Sequence, residues 1–213
     1  MTTESSAATE TGPPAPEAAV MSTRSFVGRQ ISRIQAGYTA ARQTSGSRAD
    51  LARLRRGLGR SVGDDFETMQ YTVNETAPRP RSEAPTWDEN AIHTAMTLYA
   101  VHQQSQHKPM HVTSTRFGTA LGRLRFDGDA ENPGVLRRFQ ALGTATDLTE
   151  LSEHARALIG LLRSAGIGFD YGGFADDLVA FQNPRRIGNV RLAWGRDFYR
   201  VTTTTTEPEE QQP

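Results

Sequence analysis

The sequence predicts an all-α protein, a helical bundle of about eight helices with two small sub-bundles. Three observations predict it. Apolar residues return at spacings of three and four through most of the chain. Asn, Asp, Gly and Pro punctuate the periodic stretches where helices start and stop. No stretch alternates with period two for long enough to argue a sheet, and no internal repeat is visible.

Ser22 or Thr23 opens the first helix, whose stripe is Val27, Ile31, Ile34, Tyr38 and Ala41, and it ends near Gly46. Ser47 starts a shorter helix with Leu51, Leu54 and Leu58 on its buried line. Residues 61–85 read as a loop, because Pro78, Pro80 and Pro85 forbid a continuous helix. Thr86 and Glu89 form a capping box for a helix carrying Ile92, Met96 and Tyr99 and running to about Gln104. A loop from His107 to Thr113 leads to a short helix with Phe117, Leu121 and Leu124, and Asp-Gly-Asp at 127–129 marks a turn. Asn132 caps the next helix with Pro133 at its first position. From Asp147, the residues Leu148, Leu151, Ala155, Leu158 and Leu162 form a helix closed by Gly166. Asp170 begins another, with Phe174, Leu178 and Phe181. Asn183-Pro184 stops it and caps the last, where Ile187, Val190, Trp194 and Phe198 repeat as core positions.

Domain boundaries follow from composition. Residues 1–21 hold Ala, Thr, Ser, Glu and Pro without aromatics, and are expected to be a disordered acidic extension. Met21, at its end, is a candidate start codon. An N-terminal bundle is expected over 22–110, a C-terminal bundle over 111–201, and a disordered acidic tail over 202–213. The chain lacks cysteine, a signal-peptide pattern and any run of 18 apolar residues. A cytoplasmic location and no membrane partner are therefore expected.

The net charge of zero hides a segregation. The two tails hold six of the 24 acids and no base, so the remainder carries +6. Residues 24–60 hold nine Arg against one acid, Asp50. A GC-rich genome explains Arg over Lys, but not the scarcity of acids. Turning about 100° per residue, the second helix puts Arg53, Arg56 and Arg60 opposite Leu51 and Leu54, with Arg48 and Arg55 on the flanks. Such clustered guanidinium groups suit backbone phosphates. A solvated face or an acidic protein partner would use them equally well. Three more basic pairs, Arg123/Arg125, Arg137/Arg138 and Arg185/Arg186, lie at or near helix starts, where cations oppose the helix dipole unless they bind an anion. The candidate nucleic-acid-binding residues are Arg53, Arg55, Arg56, Arg60, Arg123, Arg137, Arg138, Arg156, Arg185 and Arg186. Arg191, Arg196 and Arg200, which accompany Asp197, read as structural ion pairs.

Catalytic and cofactor chemistry finds no constellation. No GxxxxGK[ST] loop is present, and Gly57-Leu-Gly59 and Gly166-Ile-Gly168 lack a third glycine. The run from Asp127 starts like a calcium loop, but has Asn132 and Arg138 where that loop needs Gly and Glu. His107 and His111 have Pro109 between them and no third ligand nearby. No serine sits in a nucleophile elbow, and the adjacent Asp176 and Asp177 diverge on a helix. No enzyme activity, cofactor or metal is expected.

Five segments stand out: Arg138-Phe-Gln-Ala-Leu, Asp147-Leu-Thr-Glu-Leu, His154-Ala-Arg-Ala-Leu-Ile-Gly-Leu-Leu-Arg-Ser-Ala-Gly-Ile, Phe169-Asp-Tyr-Gly-Gly-Phe-Ala-Asp-Asp-Leu and the closing Val190-Arg-Leu-Ala-Trp-Gly-Arg-Asp-Phe-Tyr. Together they resemble the CasB family, the small subunit of the type I-E CRISPR Cascade complex. Ala52-Arg-Leu-Arg-Arg, the Ala91-to-His102 helix and Phe117-Gly-Thr-Ala-Leu-Gly fall in the family's order. The resemblance spans about residues 24–200, is most specific in the last third, and excludes the acidic tails. It implies an all-α fold of two small bundles, present as two copies in Cascade beside the backbone subunits and the large subunit. The implied role is non-catalytic antiviral defence: contact with the guide RNA complex and with target DNA, holding the opened R-loop and its displaced strand. Base pairing reads sequence there, and protein charge holds the backbone. Family basic positions match Arg55, Arg56, Arg137, Arg138, Arg185 and Arg186. A stand-alone helical DNA-binding regulator and a protein-only scaffold are the other readings the residues allow.

Overall fold

The computed structural model describes residues 19–128 and 130–202. The expected disordered extension and tail fall outside them, except at residues 19–21 and 202. Met21 is pinned by its backbone. Its N–H donates to Thr76 Oγ1 (2.9 Å), and its carbonyl accepts from Asn74 Nδ2 (2.9 Å).

Among the described residues nine helices form, one more than the periodicity predicts. They are α1 (Thr23–Thr39), α2 (Ser45–Arg56), α3 (Phe66–Thr72), α4 (Trp87–Gln103), α5 (Phe117–Arg123), α6 (Pro133–Thr144), α7 (Leu148–Ala165), α8 (Tyr171–Phe181) and α9 (Ile187–Arg200). Most start signals are those of the sequence, but Arg186 rather than Asn183 stands at the start of α9, without a side-chain cap. Ser22, Asn132, Asp147 and Asp170 accept N-terminal amides, Thr86 and Glu89 close a capping box, and Gly166 ends α7 in the left-handed region. Four further expectations change. The first helix stops at Thr39, well short of Gly46, and Thr44 rather than Ser47 opens the second. The presumed loop 61–85 contains α3, capped by Asp65 and anchored by buried Thr68, Tyr71 and Thr72. On either side of Gly128 (φ 61°) a two-residue antiparallel ribbon forms from β1 (Phe126–Asp127) and β2 (Ala130–Glu131).

α4 is the central helix. Ala91, Ile92, Ala95, Met96, Leu98, Tyr99 and Ala100 are all buried, so the helix is covered nearly all round. α1, α2, α7 and α8 pack around it, and α6 lies outside α7. α8, from the second half of the chain, packs on both α1 and α4 from the first, so one apolar core runs continuously across residue 110. α5 and α9 approach backbone to backbone. A Cβ on Gly118 would lie 2.7 Å from Trp194 O, and one on Gly122 would lie 2.7 Å from Phe198 O. Trp194 and Phe198 are core residues, as expected, and the Phe198 ring stacks on Phe139 at 3.9 Å.

Polar pairs tie the two halves together inside this core. Gln103 uses its whole amide: Nε2 donates to Gln106 O and Lys108 O, and Oε1 accepts from Met110 N–H and the Tyr99 hydroxyl. The loop after α4 is thereby folded back and bridges to Phe169, with Phe169 N–H on Met110 O and Val112 N–H on Phe169 O. Asp170 receives Arg24 of α1 at 2.5 Å.

Candidate nucleic-acid interface

α2 ends on three arginines because Leu51 and Leu54 bury its other side and Gly57 stops it. Gly57 is needed for close approach, since a Cβ there would meet Thr68 Oγ1 of α3 at 2.8 Å. That contact lays α3 along the end of α2 and brings carboxylates the linear charge count assigned to a loop. Glu67 ion-pairs with Arg56 and lies 4.0 Å from Arg53 Nε. Arg53 also reaches Asp50 Oδ1 and the Tyr71 hydroxyl, each at 3.4 Å, and that hydroxyl donates to Asp50 Oδ1 at 2.6 Å. Partial burial raises the pKa of Asp65. Hydrogen bonds from the Thr68 hydroxyl and Glu67 N–H, with Arg60 and Arg56 nearby, outweigh it and hold the carboxyl below its ordinary range. The cationic face expected on α2 is thus partly neutralised in cis by α3.

Three of the other arginines line two distinct surfaces. Arg60 lines a cavity between the α2–α3 turn, α4 and the start of α7. Arg123 and Arg138 share a separate groove with Asn132 and Ser164, floored by Leu124, Phe126, Val135 and Leu161. Arg138 Nη1 is steadied by Gly134 O at 3.0 Å, and Arg137 beside it is exposed. Arg123 sits in the last turn of α5, not at a helix start, so its charge favours the helix dipole. Arg156 is exposed on α7, Arg185 and Arg186 are exposed between α8 and α9, and Arg55 is half-buried. Among the described side chains none of these eight has a carboxylate within 4.0 Å. Arg60 and the Arg123–Arg138 pair line separate surfaces. Arg123 and Arg138 do meet, and Arg53 and Arg56 meet around Glu67.

Partners of the remaining charged residues emerge only in space. Asp197 receives Arg116 from the start of α5 at 3.1 Å, rather than an arginine of its own helix. Arg191 donates to Ala145 O at 2.6 Å. Trp194 Nε1–H donates to Asp177 Oδ2 at 2.7 Å, which leaves Asp177 structural. His111 Nδ1 accepts from Tyr171 N–H at 3.1 Å, and burial pushes the imidazole pKa down. No group of three metal-ligating residues forms among the described residues, and no described helix is long and apolar enough to cross a membrane. Phe66, 84% exposed at the start of α3, was not singled out by sequence pattern, since its segment read as loop.

The model of the CRISPR-associated protein Cse2 family matches residues 50–199. The chain belongs to the Cse2 family. The Cse2 match contains all ten candidate arginines. Among solved structures, the chain is similar to CasB from Thermobifida fusca, with 33% identity, a TM-score of 0.72, and coverage of 85% of this chain and 99% of that one. CasB from Thermus thermophilus shares the fold at 23% identity and a TM-score of 0.62, covering 85% of this Cse2 chain and all of its own. A chain of a structure described as a CRISPR RNA-guided surveillance complex shares it too, at 19% identity and a TM-score of 0.61, over 84% and 94%. No curated protein matches the sequence.

Proposed function

We propose that this Cse2-family protein is the non-catalytic small subunit of a CRISPR RNA-guided Cascade complex. In this reading it assembles with the backbone and large subunits, beside a second copy of itself. Its arginines hold the nucleic-acid backbone while guide RNA pairs with target DNA, and so stabilise the opened R-loop and its displaced strand. The observation that carries the reading is the set of guanidinium groups without carboxylate partners among the described residues, above all Arg123 and Arg138 on one groove, with exposed Arg137 next to Arg138 in sequence. Guanidinium groups that stay solvated in the folded chain remain available for phosphate, and each contact with a single strand contributes a salt slope of about −0.7. Arg53 and Arg56 contribute less, because phosphate must compete with Glu67.

The test is target-DNA binding by the assembled complex across salt concentrations, with wild-type subunit and with Arg123, Arg137 and Arg138 all changed to Ala. The variant should weaken binding and flatten the salt dependence while helix content and assembly stay unchanged. Equal affinity for both complexes would overturn the reading. A strong preference of the isolated chain for one duplex sequence would point instead to a regulator.

A further inference from the structure

The cavity that Arg60 borders has no counterpart among sequence motifs. It lies between the turn after α2, the first half of α4, the first turns of α7 and the end of α8, with a volume of about 590 Å³. That is within the roughly 300–1,000 Å³ of small-ligand pockets. Its wall is half polar and half apolar: Asn90, Thr94, Ser152, Glu153 and Gln182 line it together with His93, and Val62, Pro85 and Leu148 supply apolar surface. His93 is only 7% exposed, yet its ring nitrogens make no hydrogen bond to any described residue. Burial lowers its pKa, with Asp64 and Asp65 opposing, so the ring is neutral and offers one donor and one acceptor. The His93 ring has no protein partner among the described residues, and its nitrogens are open to the cavity, where they can meet an occupant with a hydrogen-bonding edge.

We infer that this cavity receives one unstacked nucleobase of the bound strand. A base is neutral, flat and edged with donors and acceptors, which suits a neutral imidazole, amides and hydroxyls better than an isolated anion would. Glu153 on the wall disfavours a free phosphate inside. The sugar-phosphate chain stays at the rim, where Arg60 stands at one side. Arg156 follows Glu153 by three residues, about one turn further along the exposed side of α7. Extracting a base costs least when the strand is already single. The inference rests on the proposed function, because it presupposes a strand at this surface.

Two variants test it on the full chain: His93→Leu, which removes the unpartnered ring, and Ser152→Trp, which fills the cavity from a half-buried position near the start of α7, outside the apolar core. Circular dichroism checks that each folds. A single-stranded oligonucleotide carrying 2-aminopurine reports unstacking as a several-fold rise in fluorescence. Wild type should give that rise, both variants should lose most of it, and strand affinity in a gel shift should fall only a few-fold. Nucleosides added alone should shift the amide resonances of Thr94 and Ser152. Strand binding without a rise, or a rise that Ser152→Trp leaves unchanged, overturns the inference and leaves the proposed function standing. No strand binding by any form, alone or in the complex, overturns both.

Discussion

Arg56 of α2 is ion-paired with Glu67 of α3, and the same carboxylate also faces Arg53. One acid on a seven-residue helix therefore restrains two of the candidate phosphate-binding cations. Glu67→Gln should release Arg56 and loosen Arg53, which keeps Asp50 and the Tyr71 hydroxyl. Single-strand affinity should rise, and the salt dependence should steepen by up to about 0.7 for each arginine that then takes a phosphate. Gel shifts across a salt series measure this, and an unchanged slope would show that Arg53 and Arg56 do not face the strand.

A comparison of double variants follows from the same geometry. Arg137→Ala with Arg138→Ala should cost more affinity than Arg53→Ala with Arg56→Ala, because the second pair already has a carboxylate partner and the first has none among the described side chains. The reverse order would place the strand on α2 rather than α6.

Acid should destabilise this fold through buried imidazoles. Burial pushes His102 down to about 3 and lowers His93 and His111 as well. Each folded pKa lies below the unfolded value of about 6.5, so the unfolded chain takes the proton first. The stabilising contribution is present above about pH 6.5 and is lost as pH falls toward the folded values, by about 1.4 kcal/mol per pH unit for each such histidine. Burial pushes Asp176 and Asp177 up, which acts in the opposite sense nearer the carboxylate range. Urea unfolding between about pH 7.5 and 5.5 should therefore show stability declining with acid. A flat profile would contradict the burial of these rings.

Gly118→Ala and Gly122→Ala should each destabilise, since the new methyl would press on a carbonyl of α9 that cannot rotate away. Overpacking of this kind costs about 1–3 kcal/mol, or roughly 2–4 °C of Tm per kcal/mol in a chain of this size. Calorimetry decides, and Gly143→Ala, where nothing lies within 4 Å of the added Cβ, serves as the control.

Gln35 closes a backbone that the fold leaves open. At the bridge to Phe169, the ladder bonds use Met110 O and Val112 N–H, so the amide of His111 points the other way. Gln35 Oε1 accepts its N–H at 2.8 Å, and Nε2 donates to its carbonyl at 3.2 Å. Gln35→Leu strands both groups and should cost about 1–3 kcal/mol in a denaturant titration. No loss of stability would mean that water replaces the amide there.

Local chemistry made most helices readable. Thr86 with Glu89, Asn132 with Pro133, Asp147 with Gly166, and Asp170 satisfy backbone groups within a few residues of themselves, so their effect is written in consecutive sequence. α3 was not readable, because seven residues beside a Pro-rich segment carry too little periodicity. It is held by Thr68, Tyr71 and Thr72 against α2 and α4, contacts the linear order does not show.

The candidate site divides along the same line. The sequence by itself determined that the chain is helical and that arginine is concentrated in residues 24–60. Only the tertiary structure decided which charges remain free. Asp50 was counted against the basic stretch because it lies inside it, whereas Glu67 neutralises Arg56 from eleven residues away, and Asp170 captures Arg24 from 146 away. His93 became a cavity wall only when the turn after α2 folded over α4 and α7. Helix start and stop signals act over a turn or two of backbone, while charge neutralisation and cavities depend on distance in space, which the chain sets only when its apolar core closes.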